Sequence, residues 1–490
     1  MAAIPIGQLP AYHAARDPRR PAITFGDEIV TRAGLEARAN RRARLLQNHG
    51  VGRGDMVTIA LPNGLELYET TFALWKLGAV PAMVSSRLPD LELGAIVQLA
   101  DPKLVVGVDP GRLPGRSGLG AGLVVDPSIS PEPLDEVVSP HWKAMTSGGS
   151  TGRPKIIVDH MPGVYDPGTP LLLQQVDDVL LNPGPLYHNA PFGTMHSGLF
   201  TGGHVVEMGR FDAAEALKMI GKHRVQWVNF VPTMMSRIWK LPEDQRRAAN
   251  LSSLRVVFHM ASSCPVWLKE AWIDWIGPDR LFELYGGTER QGMTIITGRE
   301  WLEHKGSVGK VQPGAAMRVM RPDGTDSPPN EVGEIYFRPD AGRNATYHYI
   351  GAEAKAAGEW ESLGDLGHMD EDGYLYLADR RTDLILSGGA NIYPAEVEAA
   401  LDAHPDVLTS AVVGLPDDDL GQRVHAIVQR REGGEVSAAD LIGHLEQRLV
   451  RYKVPRSIEF SDTPLRDDAG KVRRSALREA RIAGPEAGKA

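Results

Sequence analysis

The sequence has a single cysteine, Cys264, among 490 residues. One cysteine can form no disulfide within the chain and no cysteine metal cluster, so a reducing cytoplasm is the expected compartment. Basic charge is also short. There are 53 Lys and Arg against 62 Asp and Glu, a net charge of −9. That balance argues against nucleic acid as a partner. An acidic chain that binds an anion must gather its basic residues locally. No stretch approaches the roughly 18 consecutive apolar residues of a membrane span, so no transmembrane segment is expected. The N-terminal "MAAIPIGQLPAYHAARDPRR" lacks the apolar run of a secretory signal. No repeat or low-complexity tract stands out.

What is present is ordinary globular composition, 42% hydrophobic and 23% charged. The length calls for two or three domains. "TRAGLEARANRRARLLQNHG" places apolar residues on one helical face and ends in Gly50. "DMVTIALPN" then reads as a buried strand and "ELYETTFALWKLGAV" as a helix. Residues 175–300 alternate in the same way, which is the pattern of a wound α/β sheet. From about residue 305 the pieces turn β-like: "AAMRVMRPDG", "GEIYFRP", "GYLYLADR". After Arg380 shorter α and β units follow, from "DLILSGG" to "SAADLIGHLEQRL", and read as a small separate domain.

The stretch 145–155, "MTSGGSTGRPK", packs three Gly, two Thr, two Ser and a terminal lysine into eleven residues. Gly148-Gly149-Ser150-Thr151-Gly152 also fits a G-x-S-x-G nucleophile elbow, but an elbow opens a helix. Here Pro154 follows, then the β-branched Ile156, Ile157 and Val158, which favour a strand. A Walker-type loop also opens a helix, and the same run weakens it. The remaining readings are a glycine-rich hairpin whose N–H groups and hydroxyls cradle a polyphosphate, or a plain structural loop.

Three further segments choose between them: "YGGTE" at 285–289, "GDLG" at 364–367 leading to "DRRTDLILSGGANIYPAEVE", and "GKVRR" at 470–474. In this order and spacing, with "TSGGSTGRPK", they resemble the adenylate-forming (AMP-binding) superfamily, and "SGGANIYPAEVE" resembles its acyl-CoA ligase branch. The resemblance runs from "AITFGDEIV" nearly to the C-terminus. It implies a large N-terminal domain of wound α/β sheets plus a small β-barrel, residues 1–380. A small mobile α+β domain, 383–490, would follow a hinge near Thr382. It implies an ATP-dependent ligase that turns a carboxylic acid into an acyl adenylate, releases pyrophosphate, and passes the acyl group to coenzyme A. Its small-molecule partners are the acid, ATP with Mg²⁺, and coenzyme A.

The resemblance also implies roles. Thr146, Ser147, Gly148, Gly149, Ser150, Thr151 and Gly152 surround the phosphates, with Lys155 adding positive charge. Tyr285 and Gly286 face the adenine, Thr288 the α-phosphate, and Glu289 holds Mg²⁺ with Thr151. Asp365 meets the ribose, and Arg380 approaches the same ribose or the phosphate. Lys471 bridges the incoming carboxylate and the α-phosphate; Ala469 stands where the family usually has Thr. Gly388 and Gly389 serve the thiol after the small domain rotates. His188 lies beside the acyl pocket, with Phe192, Phe230, Val231, Thr233, His259 and Ala261 as candidate walls. Asp370, Glu371 and Asp372 read as a solvated hairpin tip, and Cys264 as a packing residue. No cationic residue stands out among the pocket positions, which favours a hydrophobic monocarboxylate of fatty, aromatic or steroid type over a dicarboxylate. The alternatives are an amide synthetase that passes the acyl group to an amine, a G-x-S-x-G hydrolase, and a noncatalytic nucleotide-binding relative.

Overall fold

A computed structural model describes residues 2–113, 115–148, 154–343, 345–380, 383–387, 390–417, 420–467 and 470–482. Gly149, Ser150, Thr151, Gly152, Thr382, Gly388, Gly389 and Ala469 lie outside the described residues, as do the side chains of Ser147 and Arg380.

The α/β alternation of the first 300 residues folds into two sheets. One has seven strands in the order Tyr347–Ile350, Pro154–Asp159, Ala144–Gly148, Val80–Met83, Met56–Ile59, Leu104–Val106, Gly118–Leu119. Its inner strands are parallel and its first two antiparallel. Val80–Met83 is buried along its whole length, as suits a central strand covered on both faces. The other sheet has a parallel block: Leu281–Gly286, Val256–His259, Trp227–Phe230, Val179–Asn182, His204–Glu207, Pro21–Phe25. The strands expected as a small β-barrel are hydrogen-bonded onto this sheet as an antiparallel extension, through Met293–Thr297 and Ser307–Val311 to Leu375–Arg380, Asp365–Met369 and Gly333–Pro339. The described ladder runs open.

Helix starts are specified locally. Thr31 caps Arg32–Asn48 by accepting from the Gly34 amide, and Asp212 caps Ala213–His223 through the Glu215 amide. Thr297 with Glu300, and Ser437 with Asp440, form reciprocal capping boxes. No described helix is long and apolar enough to cross a membrane.

The smaller C-terminal domain pairs Val407–Asp417 with Gly421–Arg430, adds Ser457–Phe460 in parallel, and packs helices Pro394–Asp402, Ala438–Glu446 and Arg474–Ile482 around them. It has its own core, including Ile385, Val397, Leu401, Val412, Val424 and Leu441. It docks on the large domain. Lys240 Nζ donates to the Leu408 carbonyl at 3.1 Å, Arg473 lies 3.5 Å from Glu92, and Gly470 packs on Val231 and Thr233.

Asp370 departs from the expected solvated tip. Its carboxylate accepts from the Asp372 and Tyr374 amides and the Tyr376 hydroxyl, and lies 3.1 Å from His304. It ties the hairpin down, while Glu371 and Asp372 are exposed.

Candidate active site

The glycine-rich stretch joins two antiparallel strands. Ala144–Gly148 pairs with Pro154–Asp159 in a register that sets Ser147 opposite Lys155 and Met145 opposite Ile157. A strand, not a helix, follows the loop, so the arrangement is not a nucleophile elbow. Side chains alternate along a strand, so Lys155 and Ile157 share one face with Met145, and all three line a large cleft between the domains.

That cleft has a volume of about 1950 Å³. It is lined by Thr146, Lys155, His188, Tyr285, Gly286, Thr288, Glu289, Asp365 and Lys471, which come from both large sheets and both domains. Of the candidate walls, Val231, Thr233 and Ala261 line it. Phe192, Phe230 and His259 do not: each is at most 1% exposed and belongs to the packed interior. Phe230 and His259 are the last residues of their buried strands, while Val231, Thr233 and Ala261 lie just beyond the strand ends, where the chain reaches the cleft.

Glu289 is a buried carboxyl group of the site, 5% exposed. Its Oε1 accepts from Tyr349 at 2.6 Å and lies 3.2 Å from Lys155 Nζ. Lys155 also donates to the Tyr349 hydroxyl at 2.9 Å, and its ammonium sits 4.0 Å from that ring's centre. A buried carboxylate is costly unless paired, and these two donors offset the cost. Gly287 allows the close turn: a Cβ there would meet Leu363 at 2.6 Å and Glu289 Oε2 at 2.8 Å. Tyr349, in "TYHYI", carries no motif, so the sequence alone does not mark it.

Tyr285 donates its hydroxyl to Asp365 Oδ2 at 2.8 Å. Asp365 stands directly opposite Arg380 in the ladder. Thr146 donates to the Met83 carbonyl at 3.0 Å, so its hydroxyl also ties the hairpin strand to its neighbour. His188 is the N-cap residue of helix Asn189–Phe200, and its buried Nε2 has no hydrogen-bond partner among the described residues. Burial, together with the charges of Lys471 and Arg473, lowers its pKa to about 3, so the ring is neutral. Lys471 follows Gly470, whose φ is +77° and whose added Cβ would lie 2.7 Å from Thr233 Oγ1. Glycine is required there on both counts. Cys264 packs against the apolar cluster of the second sheet, and burial pushes its thiol pKa well up, which suits a packing residue.

The donors fit a magnesium-polyphosphate ligand. Mg²⁺ takes oxygen ligands, one or two carboxylates plus phosphate oxygens. Glu289 supplies such a carboxylate beside a lysine. No group of three or more His, Cys, Asp or Glu side chains among the described residues could hold a metal by itself, so phosphate oxygens would complete the shell.

Residues 11–344 match the AMP-binding enzyme family and residues 396–471 its C-terminal domain. The chain is 33% identical to a feruloyl-CoA synthase from an Amycolatopsis species, across 96% of this chain and 98% of that protein. It is 32% identical to a 2-succinylbenzoate–CoA ligase of Geobacillus kaustophilus, across 94% and 95%. The Bacillus subtilis O-succinylbenzoate coenzyme A synthetase, solved with ATP and magnesium ion, superimposes with a TM-score of 0.82 at 26% identity, covering 97% of this chain and 100% of that one. The chain belongs to the adenylate-forming AMP-binding enzymes. Within them it is an ATP-dependent CoA ligase, an acid–thiol ligase.

Proposed function

We propose that the chain activates a hydrophobic monocarboxylic acid, using ATP and Mg²⁺, and transfers the acyl group to coenzyme A in the same cleft. The convergence of Lys155, Glu289, Asp365, His188 and Lys471 on one interdomain cleft carries this reading. The cleft brings an anionic nucleophile to a polyphosphate, so the residues must neutralise charge, fix orientation and exclude water.

In the first half-reaction a carboxylate oxygen bonds to the α-phosphorus, the Pα–O bond to the β-phosphate breaks, and pyrophosphate leaves. Lys471 lies between the two anions and cancels their repulsion. The hairpin residues 146–152 and Lys155 hold the β- and γ-phosphates, Thr288 the α-phosphate. Tyr285 stacks on the base, and Asp365 and Arg380 take the ribose hydroxyls. Glu289, with Thr151, holds Mg²⁺, which screens the polyphosphate charge. The neutral His188 packs at the reacting end of the acid without adding charge.

In the second half-reaction the thiol sulfur bonds to the acyl carbon, the thiol proton is lost, and AMP leaves. The domain boundary lies at residues 380–383. Rotation about Thr382 withdraws Lys471 and brings Gly388 and Gly389 to the thiol. The docking contacts described above belong to the adenylating arrangement, with Lys471 at the cleft.

The test is release of pyrophosphate and AMP from ATP across fatty, aromatic and steroid acids, with and without coenzyme A. Release of AMP that requires both acid and coenzyme A supports the reading.

A further inference from the structure

Below the phosphate hairpin the same face of the paired strands carries a second charged pair. The Asp159 amide donates to the Lys143 carbonyl at 3.1 Å, which continues the register beyond Met145 and Ile157. Lys143 is therefore four residues, about 13 Å, along the strand from Ser147. It lines the cleft, yet its side chain is only 3% exposed.

A buried ammonium needs compensation. Elsewhere in this protein that need is met by close pairing: Lys76 Nζ reaches both oxygens of Glu36, at 2.9 and 2.7 Å. Lys143 is held differently. It donates to the Asn189 side-chain carbonyl and lies 4.6 Å from the centre of the Trp142 ring. Its nearest carboxylate oxygen, Asp159 Oδ2, is 3.8 Å away, beyond hydrogen-bond range. The other Asp159 oxygen already accepts from Arg290 at 2.9 Å and from the Met161 amide at 3.0 Å. Burial lowers the ammonium pKa to about 8, as the incomplete pairing requires. An ammonium has three donors, and Asn189 engages one.

The surroundings say what could use the others. Asn189 adjoins His188 and opens helix Asn189–Phe200, which presents Ala190, Gly193, Thr194 and Ser197 to the cleft. That spacing follows one helical face, and small residues there leave room for a ligand. Trp142, Tyr165, Leu172 and Phe200 also line this part of the cleft. These side chains make an apolar stretch of cleft wall beside Lys143.

We infer that Lys143 is a specificity-determining residue of the acyl site, whose ammonium takes an oxygen acceptor carried by the acid away from its reacting carboxyl group. The acceptor is a hydroxyl, carbonyl or second carboxylate oxygen on an otherwise apolar, elongated acid. The inference rests on the acid-activating reading and narrows its substrate class to an oxygenated acid; Lys143 is the cationic pocket residue that the sequence did not mark, and where the acceptor is a second carboxylate it replaces the monocarboxylate of that reading.

Matched acids test it: phenylalkanoic acids with and without a 4-hydroxyl, and alkanoic acids with and without an ω-carboxylate. Each is titrated calorimetrically into the full chain and assayed for AMP formation. A hydrogen bond to a charged group corresponds to a preference of about tenfold or more. The wild type is expected to bind one oxygenated series tighter than its plain partner by that factor, and the series that does so tells hydroxyl from carboxylate. Lys143→Met should abolish the preference while leaving kcat/KM for the plain acid and KM for ATP unchanged. Equal wild-type binding of both members of every pair overturns the inference. So does a Lys143→Met protein that weakens both members alike, the mark of a structural role. The wild-type comparison stands alone if the variant does not fold. AMP formation with equal binding leaves the ligase reading intact and removes this one; a binding preference without AMP formation does the reverse.

Discussion

Lys155 Nζ, on the strand after the glycine-rich hairpin, lies 3.2 Å from Glu289 Oε1, on the turn of a different sheet. The pair joins the two sheets at the floor of the cleft, with Tyr349 bonded to both partners. It sets a cation beside the carboxylate proposed to hold Mg²⁺, where the phosphate charge would arrive.

Glu289→Gln keeps the shape and removes the charge. Adenylate formation should fall on the order of tenfold to a thousandfold, as for loss of a main electrostatic stabiliser. Pyrophosphate exchange across a Mg²⁺ series checks it. Wild-type exchange at ordinary Mg²⁺ would remove Glu289 from the role.

Lys471→Ala should abolish adenylate formation and spare transfer from supplied acyl adenylate to coenzyme A. The two half-reactions are assayed separately. Equal loss in both would contradict the assignment.

Gly470→Ala tests the docked arrangement without touching a charge. The new Cβ would sit at φ +77° and 2.7 Å from Thr233 Oγ1. Adenylation should drop while transfer persists, and adding Thr233→Ala should restore part of the loss. An unaffected first half-reaction would show that this docking does not matter for adenylation.

Glu207 predicts a pH effect on stability. It is buried beside Tyr68, Asn182 and Asn63, and burial raises its pKa to about 8. The folded state therefore keeps a proton that the unfolded chain loses near 4.5. Its contribution is present in full below that value and is lost as pH rises through about 8. Glu207→Gln should flatten the fall in thermal stability between pH 5 and 9, by on the order of 1–4 kcal/mol. Parallel wild-type and variant curves would contradict this.

Much of the fold and site is legible in the sequence because the motifs are contiguous. "TSGGSTGRPK" and "YGGTE" carry their turn chemistry locally, and the β-branched run 156–158 marks the glycine-rich loop as a hairpin between strands. Lys143 and Tyr349 are not legible in this way. Their meaning comes from strand register and from partners distant in sequence, Asn189 for the first and Glu289 for the second. Phe192, Phe230 and His259 are expected at the pocket and lie in the core, because Phe230 and His259 still belong to their buried strands and Phe192 to the buried face of helix Asn189–Phe200. Lys143 is hidden for a different reason: a single charge before a strand reads as an edge residue until the start of helix Asn189–Phe200 meets it.

Acid-dependent turnover of ATP to AMP, coupled to coenzyme A, is tested most directly by pyrophosphate and AMP release across the acid panel, with and without coenzyme A. AMP formation that needs both a hydrophobic acid and coenzyme A is the predicted result. Release with acid alone, unchanged by coenzyme A and raised by an amine, would contradict it and move the acyl group to another acceptor.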